Sequence, residues 1–188
     1  MNTATFSHIQ LMNPKLEAQY LKLEETRNQL LDELDGLDEN LLNLSPAEGK
    51  WSVNQIIAHL IQVEQLTNSY VQRKVQQQES LETSSIRHAF RSLLVKLVLN
   101  SGVKIKAPAA VANVPERSSL TALRKQWDAS RYNLEDTLTD LPQELMDKCL
   151  FRHPYAGPLS ITQTMSFLQD HFNHHARQIT QLRQHLIN

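Results

Sequence analysis

The chain is poor in the residues that interrupt helices or crosslink a fold. Its 188 residues include 4 glycines, 7 prolines and 1 cysteine. A lone cysteine, Cys149, excludes an intramolecular disulfide, and because no nucleophile motif surrounds it we expect a partly buried core residue. Strand-type alternation of polar and apolar residues is also nearly absent, and these features together favour an all-helical protein.

Charge and hydropathy exclude several classes of partner. The 19 basic residues are balanced by 20 acidic ones, for a net charge of -1, so no basic excess attracts nucleic acid. No apolar stretch reaches the roughly 18 residues of a transmembrane helix, and the first ten residues (1–10) lack signal-peptide character. We therefore expect one cytoplasmic domain over residues 1–188, with a hydrophobic core built from the 40% of residues that are apolar.

The first two amphipathic segments carry clear helix-start signals. One begins at the N-cap Asn13, with Pro14 at the first helical position, and stops near Gly36. The next begins at Ser52, where Gln55 completes a capping box, and runs to about residue 78. Each then places apolar residues three to four positions apart, as a helix with one buried face does.

Two further helices complete the predicted set. The third starts at Ser118 or Ser119 and ends before Pro142, and the fourth is capped by Ser160 after a loop that includes residues 153–158. Four long amphipathic helices predict a four-helix bundle, a fold that builds metal sites from side chains on facing helices.

A long insert at about residues 81–118 separates the second and third helices. Its first half, residues 85–100, is predicted as a short helix with a basic side formed by Arg87, Arg91 and Lys96. We interpret this helix as one that packs over the bundle. The alternative is that residues 85–106 bind an anionic membrane surface.

Three of the eight histidines fall at positions that suit a common ligand. His171 and His175 are four residues apart on the fourth helix and can reach the same ion. His175 lies within the apolar stripe of that helix, His171 lies at its edge, and His59 lies at the edge of the stripe on the second helix. If the two helices pack together, three imidazoles and one open position make the pattern of a catalytic metal site.

The spacing alone leaves two interpretations open. Histidines at a core boundary are often structural and hydrogen-bonded, whereas one cation would satisfy all three imidazoles together. Gln178 lies one turn beyond His175 and is either a residue that orients a ligand imidazole or an ordinary surface glutamine. His174 and His185 point away from the stripe, and three others lack partners at useful spacing: His8, His88 and His153.

Three blocks of sequence resemble the DinB-like superfamily. They are Lys50–Val53 followed by Ala58–Leu60, then His153–Ser160, then His171–Ile179, and they match in order and spacing across nearly the whole chain. The resemblance implies a four-helix bundle with an extended connection between the second and third helices. It also implies a homodimer and a divalent metal held by His59, His171 and His175.

The resemblance further implies a chemistry. Characterised relatives include thiol-dependent transferases and isomerases that use bacillithiol, mycothiol or glutathione. We expect a metal-dependent thiol S-transferase or hydrolase that acts on a small molecule, with zinc or nickel favoured and iron, cobalt or manganese also suited to these ligands. No general acid or base stands out. The alternative is a non-catalytic bundle that binds a small molecule or a partner and retains a structural or vestigial metal site.

Overall fold

The computed structural model describes residues 11–77, 81–84, 111 and 113–187, without the side chains of 185–187. Five α-helices and one hairpin appear in these stretches, together with a 3-10 turn at Gln143–Leu145. The elements are α1 (Pro14–Leu34), α2 (Glu39–Leu42), α3 (Val53–Gln76), α4 (Leu120–Thr139), β1 (Cys149–His153), β2 (Gly157–Ser160) and α5 (Ile161–Ile187). The predicted all-α bundle is confirmed, with α1, α3, α4 and α5 as its long helices.

The predicted helix starts are formed by side-chain caps. Asn13 accepts a hydrogen bond from the backbone of Lys15, and Ser52 and Gln55 form both bonds of the capping box. The third long helix is capped by Ser119, which resolves the choice between two serines. These caps satisfy N–H groups that the first turn of a helix leaves without partners. They therefore fix where each helix begins.

The direction of the helices explains the long connection between α3 and α4. Both α1 and α3 lie between α4 and α5. Along α3, Glu64 bonds Arg131 and Gln72 bonds Thr137, so α3 and α4 run in the same direction. A chain that leaves α3 at one end of the bundle and enters the parallel α4 at the other needs a long connection. The residues between the two helices (77–119) provide that length. The predicted helix at 85–100 and its basic side lie outside the described residues.

A single apolar core fills the space between the long helices. Trp127 on α4 is fully buried and packs against Phe172 on α5, with ring centroids 6.1 Å apart. Burial of such large side chains is the main favourable term in folding. Other residues with less than 2% exposure include Leu16, Leu23, Leu31, Leu34, Leu42, Ile57, Leu60, Leu123, Leu138 and Leu150.

The segment before α5 is a hairpin. The predicted loop through residues 153–158 is confirmed only for the turn at 154–156, because residue 153 and residues 157–158 belong to the two strands. β1 and β2 pair in an antiparallel manner, and Gly157 adopts a φ of 76° at the turn. The strands are only five and four residues long, too short for a clear alternating pattern. Ser160 then caps α5 as predicted, accepting from the backbone of Gln163 at 3.4 Å.

None of the helices in the described stretches combines the length and the apolar character needed to cross a bilayer.

The hairpin packs against both α3 and α5. Tyr70 of α3 meets Phe151 of β1 edge to face, with ring centroids 5.5 Å apart. The hairpin therefore covers the face of the bundle where α3 and α5 meet.

Candidate metal centre

Three histidines from two helices converge at the interface between α3 and α5. His59 comes from α3, and His171 and His175 come from successive turns of α5. Their potential ligand atoms all lie within 4.8 Å of one another. The Nε2 atoms of His59 and His171 are 3.3 Å apart. The structure therefore brings together the three histidines that the sequence selected.

Hydrogen bonds orient two of these rings. The Nδ1–H of His59 donates to the backbone carbonyl of Val111 at 2.8 Å. The Nδ1–H of His175 donates to Oε1 of Gln178 at 2.9 Å. A carbonyl oxygen only accepts, so both rings carry their proton on Nδ1 and present a lone pair on Nε2. Such partners are the usual way in which proteins orient histidine ligands.

Burial keeps the three imidazoles neutral. His59 and His175 are only 3% and 8% exposed. Desolvation lowers the pKa of His59 and lowers the pKa of His175 to about 3. The pKa of His171 is also lowered well below its ordinary value by desolvation, with a further contribution from the neighbouring histidines. All three rings are therefore available as neutral donors at neutral pH.

The donor set fits a divalent metal ion. Zinc–imidazole bonds of 2.0–2.1 Å in a tetrahedral site separate two ligand nitrogens by about 3.3 Å, which matches the distance between His59 and His171. Without a cation, the neutral ring of His171 would carry its proton on Nε2, between these two nitrogens. Metal binding through Nε2 would instead require the tautomer with the proton on Nδ1. The group could thus hold a metal ion, and it consists of three residues in the described part of the chain.

Aromatic side chains flank the three histidines. The ring of Trp51 lies against His59 with centroids 4.8 Å apart, and Phe167 lies 5.6 Å from His171. Both aromatic residues are partly buried and pack against the core. They limit the access of water to the sides of the imidazoles and leave an apolar environment in which electrostatic interactions are stronger.

His153 has more partners than its sequence context suggested. Its ring is buried and packs against Phe167 with centroids 4.5 Å apart. Nδ1 accepts hydrogen bonds from the backbone N–H groups of Tyr155 and Ala156. His153 therefore stabilises the hairpin turn and lies outside the three-histidine group. His8, His88 and the side chain of His185 lie outside the described residues.

One contact at the centre had no signal in the sequence. The acceptor for His59 is a backbone carbonyl that lies 52 positions further along the chain, and any residue type would supply it. By contrast, the Gln178 contact was visible as a one-turn spacing on α5. Trp51 directly precedes the helix cap Ser52, and its contact with His59 had no signal in the sequence.

Comparison with known proteins places this arrangement in a family. The profile of the DinB superfamily matches residues 22–179, a range that includes all three histidines. The chain is also 23% identical over 160 residues to the uncharacterized protein YuaE of Bacillus subtilis (strain 168). That alignment covers 85% of this chain and 94% of YuaE. On the strength of the profile match, the chain belongs to the DinB superfamily.

Proposed function

We propose that this protein is a metal-dependent enzyme, either a thiol S-transferase or a hydrolase, that acts on a small molecule. The observation that supports this most directly is the convergence of three desolvated, neutral imidazoles at the α3–α5 interface, where His59 and His175 are buried and His171 is half-buried. His59, His171 and His175 would be the metal ligands. Zinc and nickel suit this donor set best, and iron, cobalt or manganese would also bind it.

The number of protein ligands favours catalysis over a purely structural role. Structural zinc sites generally close the coordination shell with four protein ligands, whereas catalytic sites use three and leave a position open. The group contains three residues in the part of the chain that the structure describes. A divalent ion held there would supply Lewis acidity, which lowers the pKa of a coordinated water or thiol.

The nucleophile is expected to come from outside the protein. The only thiol of the chain, Cys149, is buried, and desolvation raises its pKa. A buried thiol with a raised pKa is a poor nucleophile. We therefore propose either water or a low-molecular-weight thiol such as bacillithiol, mycothiol or glutathione. Trp51 and Phe167 would hold the reacting groups away from bulk water beside the imidazoles.

Elemental analysis of the purified protein tests the metal site. We expect about one divalent ion per chain, and His59→Ala, His171→Ala and His175→Ala should each lose it. His153→Asn is the matched control, because His153 is another buried imidazole close to the site but outside the group. A wild-type protein that remains metal-free with excess zinc and nickel at neutral pH would contradict the proposal.

A second experiment addresses the chemistry. The metal-loaded protein would be screened with each thiol against aryl halides and epoxides, and with water alone against activated esters and amides. The proposal expects turnover in one of the two arms, and expects a chelator or His171→Ala to abolish it. Stoichiometric metal binding without turnover in either arm would favour the non-catalytic alternative.

A further inference from the structure

The side-chain amide of Gln178 contacts two imidazoles at once. Its Oε1 accepts from Nδ1 of His175 at 2.9 Å, and its Nε2 lies 3.0 Å from Nε2 of His174. The three residues share one helix, where positions three and four apart are neighbours on the surface. The result is a hydrogen-bonded chain that runs from His174 through the amide to a histidine of the three-residue group.

The orientation of this amide determines which nitrogen of His175 can bind a cation. The amide nitrogen can only donate and the amide oxygen can only accept. In the observed orientation, the proton of His175 lies on Nδ1 and the lone pair on Nε2. If the amide were turned over, its nitrogen would donate to Nδ1. The proton of His175 would then move to Nε2, where it would block the ligand position.

His174 favours the orientation of the Gln178 amide in which the oxygen faces His175. Its Nε2 accepts from the amide nitrogen of Gln178, which it can do only while the amide oxygen faces His175. Turning the amide over would place its oxygen against the lone pair of His174, an unfavourable contact unless that ring also changed its tautomer. The contact is local, because both partners of Gln178 lie within one turn of α5.

We propose that His174 and Gln178 are positioning residues that together select the tautomer of His175. His174 acts through the amide and does not itself bind the ion. This inference rests on the metal site of the proposed function, but it also makes a claim about the metal-free protein. There, too, His175 should be held with its proton on Nδ1.

Zinc affinity, measured by competition with a chromophoric chelator at about pH 8, provides the first test. Replacement of Gln178 by methionine keeps the shape and removes both hydrogen bonds, so we expect roughly 10- to 100-fold weaker binding. His174→Ala should weaken binding about two- to tenfold, the range for one hydrogen bond. Gln181→Met, at an exposed position of the same helix, is the matched control and should bind zinc like the wild type.

A double-mutant cycle distinguishes an effect of the hydrogen-bonded chain from His174 through Gln178 to His175 from a general loss of packing. In Gln178→Glu both side-chain oxygens accept, so the His175 bond forms whichever way the group is turned. His174→Ala should therefore weaken zinc binding in the wild-type background. It should not weaken binding in the Gln178→Glu background, where His174 turns a lone pair towards a carboxylate oxygen. An equal loss in both backgrounds, or wild-type affinity in Gln178→Met, would overturn the proposal.

Nitrogen-15 NMR of the metal-free protein reports the tautomer directly. We expect the Nδ1–H form of His175 in the wild type and a mixture of forms in Gln178→Met and His174→Ala. If the wild type binds no zinc but shows this dependence, the proposed metal function fails and the positioning role stands. If zinc binds but the tautomer does not respond to either substitution, the positioning role fails.

Discussion

Nε2 of His59 and Nε2 of His171 lie 3.3 Å apart, although 112 positions separate the two residues in the chain. The two helices that carry them are far apart in sequence and run side by side in the fold. A proton or a cation must occupy the space between the two nitrogens, because two lone pairs at this distance repel. Several measurable consequences depend on which of them is present.

Zinc should stabilise the folded protein. A ligand that binds only the native state adds about 2.7 kcal/mol at a hundredfold excess over its Kd, which corresponds to roughly a 5–10 °C rise in melting temperature for a chain of this length. Differential scanning fluorimetry with and without zinc would measure the shift. His171→Ala should abolish it, and magnesium, which prefers oxygen ligands, should not reproduce it in the wild type. Equal shifts for zinc and magnesium would contradict binding by imidazoles.

Nickel or cupric ions should quench the fluorescence of Trp51. Its ring lies 4.8 Å from that of His59, close enough for an open-shell ion on the imidazole to deactivate the excited indole. Zinc, which is d¹⁰ and redox-inactive, should have little effect. The variant Trp127→Phe should retain the quenching and Trp51→Phe should lose it. Quenching that survives in Trp51→Phe would place the ion elsewhere.

The metal-free protein should lose stability as the pH falls from about 6.5 to about 4. Burial lowers the pKa of His153 from 6.5 to about 4, so between these values the unfolded chain binds a proton that the folded state excludes. Stability therefore rises with pH across this window, by up to about 1.4 kcal/mol per pH unit for each such group. Protonation of Nδ1 would also remove its bonds from Tyr155 and Ala156.

The contribution of His153 can be isolated by substitution. His153→Asn retains an acceptor near the position of Nδ1 but does not titrate in this range. Urea unfolding at several pH values, with a chelator present, should give a flatter pH profile for the variant than for the wild type. Parallel profiles would mean that His153 is not responsible for the acid sensitivity.

A buried ion pair joins α3 to α4 and should be costly to break. Arg131 contacts both carboxylate oxygens of Glu64 at 2.8 Å, and Trp127 donates to the same carboxylate at 3.0 Å. Glu64→Leu should destabilise the fold by about 3–5 kcal/mol, because it leaves a buried guanidinium without this partner. The remaining bond from Arg131 to Glu24 favours the lower end of that range.

The double variant Glu64→Leu/Arg131→Met should be more stable than either single variant, because neither charge is then stranded in the core. The exposed pair between Arg124 and Asp32, 3.7 Å apart, is the control. Arg124→Ala should change the free energy of unfolding by no more than about 1 kcal/mol. Additive losses in the double variant would show that the two side chains act independently.

Local signals in the sequence were sufficient to predict the long helices. The pairs Asn13–Pro14 and Ser52–Gln55 act within one helical turn, so neighbouring residues contain the information. The spacing of His171 and His175 is local in the same sense. His59 joins these two residues only because α3 packs against α5. The apolar stripes of the two helices suggested this packing, and the family resemblance specified it.

Features that depend on tertiary contacts could not be predicted in this way. The hairpin is stabilised by its packing on α3 and α5, and its short strands resemble loop sequence. Glu64 and Arg131 are charged residues on helices, for which an exposed position is the default expectation. Their burial follows from pairing with each other across α3 and α4. Only the arrangement of the helices reveals that pair.

The bond from His59 to the carbonyl of Val111 makes the centre sensitive to an unusual type of mutation. A backbone acceptor is the same in every amino acid, so exchanging the residue at position 111 does not delete it. A deletion or insertion between Val111 and α4, by contrast, would shift this carbonyl relative to the ring. Changes in the length of that short stretch, more than substitutions at position 111, therefore threaten the orientation of the His59 imidazole.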